Sequence, residues 1–390
     1  MPSNEPRVPP TLRAAEFPIT AEYTYLNTAT QGPIPDRTRR AIEHAAQQAQ
    51  FPGITGAQVD PAEALARARL AQLLHVGADD LVFTANTTYG LNICAHGIDW
   101  RAGDNVVIPD HEFPSLMHTW LHLRTFGVEV RLVAYQGAGP SAAELMAATD
   151  ARTRVVSCSA VAWDTGYRID LAELGRCCAA AGILLVVDGI QAVGAVDLDP
   201  QALRISALAT HGYKWLMGGF GVGALYVAPA AVDRIQPRFV GEQSYAGSGD
   251  PADPAAPWKP GARRYSLGSG NGPGYSALAS SLELIAEVGI AAIAAHNHEL
   301  SSLLIAGLRR LAPAVQLITP GDPAQHAAIV VFTLGDPLRD EAVAVQLAAQ
   351  GIVVALRRRG IRVSPHLYNT PAEIEALLRA LPAAVSAITR

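Results

Sequence analysis

ILLVVDGIQAVGAVDLD, residues 183–199, sets an unbroken apolar run against Asp188, with Gln191 three positions further on. No polar residue alternates within the run. A strand of that kind is apolar on both faces, which fits a parallel sheet covered by helices on both sides rather than a half-exposed antiparallel one. Similar runs flank it: DLVFTA (80–85), NVVIPD (105–110), VEVRLVAY (128–135), TRVVSCSAVAW (153–163), ISALATHG (205–212) and GALYVAP (223–229). Between them lie TYGLNICAHGIDW (88–100), SLMHTWLHLRTFG (115–127) and DLAELGRCCAAAG (170–182), whose apolar residues recur at helical spacing. Strands alternating with helices predict an α/β fold with a mostly parallel sheet. Such a sheet binds ligands beyond the carboxyl ends of its strands.

Downstream, GEQSYAGSGDPADPAAPWK (241–259) is dense in Gly, Pro, Ser and Asp and reads as a long functional loop. A helical stretch over 276–311 follows, then AAIVVFTLG (327–335), IVVALRRRGIRVSPHL (352–367) and the amphipathic PAEIEALLRALPAAVSAI (371–388), the mixture of a smaller α+β module. The predicted organisation is an N-terminal arm (1–20), a large domain (21–275) and a small C-terminal domain (276–390) to which the N-terminal segment contributes.

Composition narrows the function. In 390 residues, 49% are hydrophobic and 17% charged, as in a folded enzyme-sized chain. The net charge of −5 without a basic tract argues against nucleic acid and for a small-molecule partner. Four cysteines, two of them adjacent, make no disulfide framework and fit a reducing cytoplasm. No apolar run approaches 18 residues and the first residues lack an apolar signal segment, so neither membrane insertion nor secretion is expected.

Asp188 ends its strand where a ligand crevice is expected, although an Asp in a βα turn can equally cap a helix. Lys214 stands among aromatic and apolar neighbours in HGYKWLMGGFGVGALYV (211–227). Burial there would depress its pKa and make it a nucleophilic amine suited to a Schiff base, which a surface lysine would not need. Thr87 and Thr88 follow a strand at a helix N-terminus, where they can hold a phosphate or serve as a plain N-cap. GGFGVG (218–223) resembles a dinucleotide loop, but a strand follows it where a helix is needed. His118 and His122 have metal-compatible spacing without a third ligand, so no metal site is expected. His296 and His298 read as a solvated face, Trp120 and Trp163 as core residues or pocket walls, and Arg357, Arg358 and Arg359 as a solvated turn, one of them able to assist an acidic substrate.

TANTTYGLN (84–92), DHEFPSLMHTW (110–120), VAWDTGYRIDL (161–171), the two stretches around Asp188 and Lys214, RRYSLGSGN (263–271) and RVSPHLYNTPAEI (362–374) occur in a familiar order. The chain resembles the class V aminotransferase family of fold type I pyridoxal 5′-phosphate (PLP) enzymes, and within it the isopenicillin N epimerase-like branch. The resemblance implies a homodimer with a shared active site. Lys214 would carry PLP as a Schiff base and move the Cα proton. Asp188 would pair with the ring nitrogen, Gln191 would bond the phenolic oxygen, and Phe113 would stack on the ring. Thr87, Thr88 and His211 would hold the phosphate, with Ser269 reaching the phosphate of the neighbouring subunit. Arg362 would grip the substrate carboxylate and Asn27 would lie on the substrate side.

Two departures qualify this. GIVVALRRRGIRVSPH (351–366) lacks the nucleophilic cysteine of cysteine desulfurases, and Trp163 replaces an asparagine that contacts the cofactor oxygen in many relatives. The expected activity is therefore a C–S β-lyase acting on cysteine S-conjugates in specialised metabolism. Epimerisation, decarboxylation-linked deamination and transamination remain alternatives on the same scaffold, and a non-catalytic binding protein is a further alternative that the presence of Lys214 disfavours.

Overall fold

The computed structural model describes residues 9–51, 61–247 and 256–387. All seven apolar runs become strands of one sheet, in the order Leu81–Thr84, Gly223–Val227, Ala207–His211, Leu184–Asp188, Thr153–Ser159, Asn105–Pro109, Glu129–Val133. Six are parallel; only Gly223–Val227 runs against its neighbours. The exception has a local cause: residues 212–222 contain no crossover helix, and a short connection returns a chain antiparallel.

Burial on both sheet faces explains the unbroken apolar runs. Leu185 and Val187 enter one core layer while Leu184 and Val186 enter the other, and Val107 parts from Val106 and Ile108 in the same way. Each such fully buried side chain contributes about 1.5–3 kcal/mol. One layer is closed by the helices Pro61–Leu73 and Gly272–Val288, the other by the helix Thr87–Gly97. Gly90 lets that last helix approach the sheet closely: a Cβ there would lie 3.0 Å from the Ala209 Cβ.

A third core gathers around a four-stranded antiparallel sheet, ordered Ala355–Arg357, Gly360–Val363, Val330–Thr333, Gln316–Leu317. The N-terminal segment is tied to this part of the chain. Thr24–Tyr25 pairs in parallel with Ile352–Val353, Asn27 bridges to Ser364, and Arg13 forms an ion pair with Glu373 at 3.0 Å.

Three expectations need correction or restriction. The helical stretch predicted over 276–311 is two helices, Gly272–Val288 and Ile290–Arg309, bent by 77° at Gly289, whose φ of +87° breaks the helix. His296 is not on a solvated face: it is buried, with Nε2 2.9 Å from the carbonyl oxygen of Asn369, and His298 is half-buried and stacked on His326. Helical spacing alone cannot tell a solvent face from one covered by a later segment. Most of the loop predicted over 241–259 lies outside the described residues; its ends meet where Tyr245 stacks on Trp258 at 4.4 Å. Among the described residues no single helix is long and apolar enough to cross a membrane.

Candidate active site

The carboxyl ends of the parallel strands bring Asp188, Lys214 and Phe113 close together. Asp188 closes its strand opposite Ser159 on one side and Ala209 on the other. Its Oδ1 accepts the Ile190 N–H at 2.9 Å, leaving Oδ2 for a ligand. Lys214 lies three residues beyond the neighbouring strand end, only 6% exposed. Its Nζ is 5.8 Å from the Phe113 ring centroid and 5.6 Å from that of Tyr213. Burial drives both members of this pair toward neutrality: the lysine is lowered and the aspartate raised, each partly opposed by the other's charge. Arg362 and Arg357 push the lysine further down. The turn that carries Lys214 is strained, with Met217 at φ +54° and its N–H bonded to the Lys214 carbonyl.

Thr87 and Thr88 open the helix Thr87–Gly97, but neither caps it. Asn86 is the cap, its side chain accepting the Tyr89 N–H at 3.0 Å. Of the two readings open for Thr87 and Thr88, the N-cap is therefore removed. The Thr87 hydroxyl is buried without a partner among the described residues, and Thr88 donates to the Ser115 hydroxyl at 2.9 Å. Gly223 permits this loop to pass: a Cβ there would fall 2.8 Å from the Asn86 backbone. His211 is buried beside the loop, its imidazole pushed down to about 4 by desolvation, so it stays neutral.

Gln191 has a fixed orientation. The Trp215 indole N–H can only donate, and it donates at 2.9 Å to Gln191 Oε1, which turns Nε2 toward the Ala29 carbonyl at 3.1 Å with its second proton free. Phe113 is held by Pro114 at the first position of the helix Pro114–Leu121 and packs edge-on to Trp163 at 5.5 Å. Trp163 is half-buried and Trp120 is core; neither indole N–H has a partner among the described residues.

Arg362, 2% exposed, donates to the Trp163 carbonyl at 2.9 Å and to the Thr30 hydroxyl at 2.7 Å; its Nε has no partner among the described residues. Thr30 in turn donates to Asn27 Oδ1 at 2.6 Å, so Asn27 enters the site through Thr30. Ser269 stands apart and exposed, lining a separate cleft of about 340 Å³ with Thr84, Ala85, Tyr89, Phe239 and Tyr275.

A buried amine, a buried acid one strand away and a phosphate-sized helix N-terminus with an orphaned hydroxyl suit PLP. The comparisons agree. The aminotransferase class-V family profile matches residues 53–380. The chain belongs to the aminotransferase class-V family. It shares 31% identity over 340 residues with an isopenicillin N epimerase of Streptomyces clavuligerus, covering 82% of this chain and 83% of that protein. Identity is 27% over 392 residues with a probable cysteine desulfurase of Methanothermobacter thermautotrophicus, covering 93% and 94%. Among solved structures, the cystine C–S lyase C-DES in complex with its reaction product cysteine persulfide superposes with a TM-score of 0.85 at 29% identity, covering 94% of this chain and 99% of that one. The fold is thus that of fold type I PLP enzymes, and this class-V chain is a PLP-dependent enzyme.

Sequence reasoning missed several residues around the site. Glu112 is held by the Ser159 N–H at 2.7 Å and hydroxyl at 2.5 Å, and its carboxyl is pushed up to about 7 by burial and then by Asp188. Glu112 anchors the loop that carries Phe113 to the strand beside Asp188. Arg357 reaches the Thr30 hydroxyl. His366 bonds the Trp215 carbonyl through Nε2 at 2.9 Å and joins the antiparallel part of the chain to the turn bearing Lys214.

Burial lowers His366 from 6.5 to about 3. A folded-state value below the unfolded one means that the stability this group contributes is complete above pH 6.5 and is lost as pH falls toward 3, by at most about 1.4 kcal/mol per pH unit. Thermal unfolding from pH 7 to pH 4 should show a falling Tm in the parent and a shallower fall in His366→Asn. Equal slopes would exclude this role.

Proposed function

We propose that the enzyme is a C–S β-lyase acting on cysteine S-conjugates, in a tailoring role in specialised metabolism. The observation that carries the reading is the segment before Arg362. Ala355–Arg357 and Gly360–Val363 form a hairpin closed by Arg358 and Arg359, with no room for a loop bearing a nucleophilic cysteine. Cys94, Cys158 and Cys178 are buried in the protein core, and Cys177 is half-exposed on the helix Leu171–Ala180; the thiols of all four are raised, so none suits a sulfur acceptor. Likeness to the cystine C–S lyase supports the same reading.

When bound, PLP supplies an electron sink for charge left at Cα. Asp188 would hold its ring nitrogen protonated; Gln191 Nε2 and the Trp163 N–H would face its phenolic oxygen, and Phe113 its ring. Thr87, Thr88 and His211 would hold the phosphate, joined by Ser269 of a second subunit in a homodimer. The exposed side chains of Tyr89, Phe220 and Phe239 near that cleft fit such an interface. Residues 21–275 would then form the PLP-binding domain and 276–390 the smaller one, in a cytoplasmic enzyme.

Arg362 would fix the substrate carboxylate and thereby the bond set for cleavage. The depressed amine of Lys214, released by the incoming amino group, would take the Cα proton; the Cβ–S bond then breaks and the sulfur leaves as a thiol. Water completes the reaction, giving pyruvate and ammonia. Similarity to isopenicillin N epimerase keeps epimerisation as the second reading. Mass spectrometry of holoenzyme reactions with L-amino acids and cysteine S-conjugates should show pyruvate without any added keto acid. Inverted amino acid with its C–S bond intact would establish epimerisation, and keto-acid dependence would establish transamination.

A further inference from the structure

Arg357 and Arg362 carry more positive charge into the site than one carboxylate balances. In the hairpin register Ala355 faces Arg362 and Arg357 faces Gly360, so the two arginines project from the same face as diagonal neighbours. Both guanidiniums donate to one oxygen, the Thr30 hydroxyl, at 2.5 Å from Arg357 and 2.7 Å from Arg362. Their remaining bonds go to carbonyls: Arg357 to Leu356 at 2.7 Å and Arg362 to Trp163 at 2.9 Å. Neither has a carboxylate partner among the described residues. The nearby buried acid, Asp164, is engaged by Arg359 at 3.4 Å, and Asp188 is the acid beside Lys214.

Two converging cations without counter-ions are costly unless a ligand brings negative charge. The α-carboxylate of an amino acid supplies one such charge to the deep cation, Arg362. Arg357, half-buried nearer the mouth, is left for a second.

We propose that Arg357 is a specificity-determining residue for a second carboxylate, so that the substrate is an α-amino acid whose side chain carries a further acidic group. This rests on the C–S lyase reading only for its last step, which makes the substrate a cysteine thioether or disulfide with an acidic sulfur substituent.

Calorimetric titration of the holoenzyme with glutarate and with butyrate separates the two roles without turnover. Glutarate should bind roughly tenfold to a hundredfold more tightly, the worth of one charge-assisted bond. Arg357→Gln should erase that preference while leaving butyrate affinity within about twofold, and Arg357→Lys should restore part of it. Equal affinities in the parent, or an equal loss for both ligands in Arg357→Gln, would overturn the proposal by showing one shared carboxylate clamp. A glutarate preference that depends on Arg357 in an enzyme that releases no pyruvate would sustain the role of Arg357 and reject the C–S lyase reading.

Discussion

Lys214→Ala should remove both the visible absorbance of the lysine-linked cofactor and turnover, the largest effect of any single substitution in this chain. The expected fall is at least about 10³-fold, because proton transfer by a positioned base alone is worth 10²–10⁴-fold and the covalent anchor is lost with it. The fold should survive. Among the described residues Lys214 makes no ion pair at hydrogen-bond distance, and removing a desolvated amine beside Asp188 takes away a group whose charged form is disfavoured where it stands. The checks are a steady-state assay, an absorbance spectrum after PLP is added, and a melting curve. A variant with parental turnover would remove Lys214 from the chemistry altogether.

Arg362→Ala ranks second and acts on a different kinetic constant. Its guanidinium is buried, pushed down to about 9 by desolvation, and oriented by Trp163 and Thr30 before any substrate arrives. Losing a preorganised cation opposite a carboxylate costs about 3 kcal/mol, so KM should rise roughly a hundredfold for carboxylate-bearing substrates. Arg362→Lys should recover little, since a lysine lacks the planar fork that can meet Trp163, Thr30 and a ligand together. An unchanged KM in Arg362→Ala would mean that another group anchors the carboxylate.

How much of this was legible in the sequence depended on the range of the interaction concerned. Strand burial is local: Ile183–Val187 is apolar throughout because both faces are covered, and every run of that type became a strand. The ends of those strands were legible for the same reason, and Asp188, Lys214, Phe113 and Trp163 lie near one another there. The reversal of Gly223–Val227 was within reach, since a strand follows GGFGVG where a crossover helix would be needed.

What escaped were pairings between distant segments. The Arg357–Arg358–Arg359 triplet reads as a solvated turn until the pairing of Ala355 with Arg362 is known; period-2 alternation then separates Arg357, in the site, from the exposed Arg358. His296 looks like surface until Asn369 covers it from 73 residues away. Asn27 depends on Thr30, and Thr30 depends on arginines more than 300 positions downstream. The bend at Gly289 requires a positive φ, and a lone glycine in a helical pattern is an ambiguous signal for that.

The most direct test of the central claim is the product stoichiometry of the purified holoenzyme on a cysteine S-conjugate, with no keto acid present. C–S lysis predicts equal amounts of thiol, pyruvate and ammonia, all lost together in Lys214→Ala. Conversion of the conjugate to its D-enantiomer, with the C–S bond intact and no pyruvate formed, would contradict it.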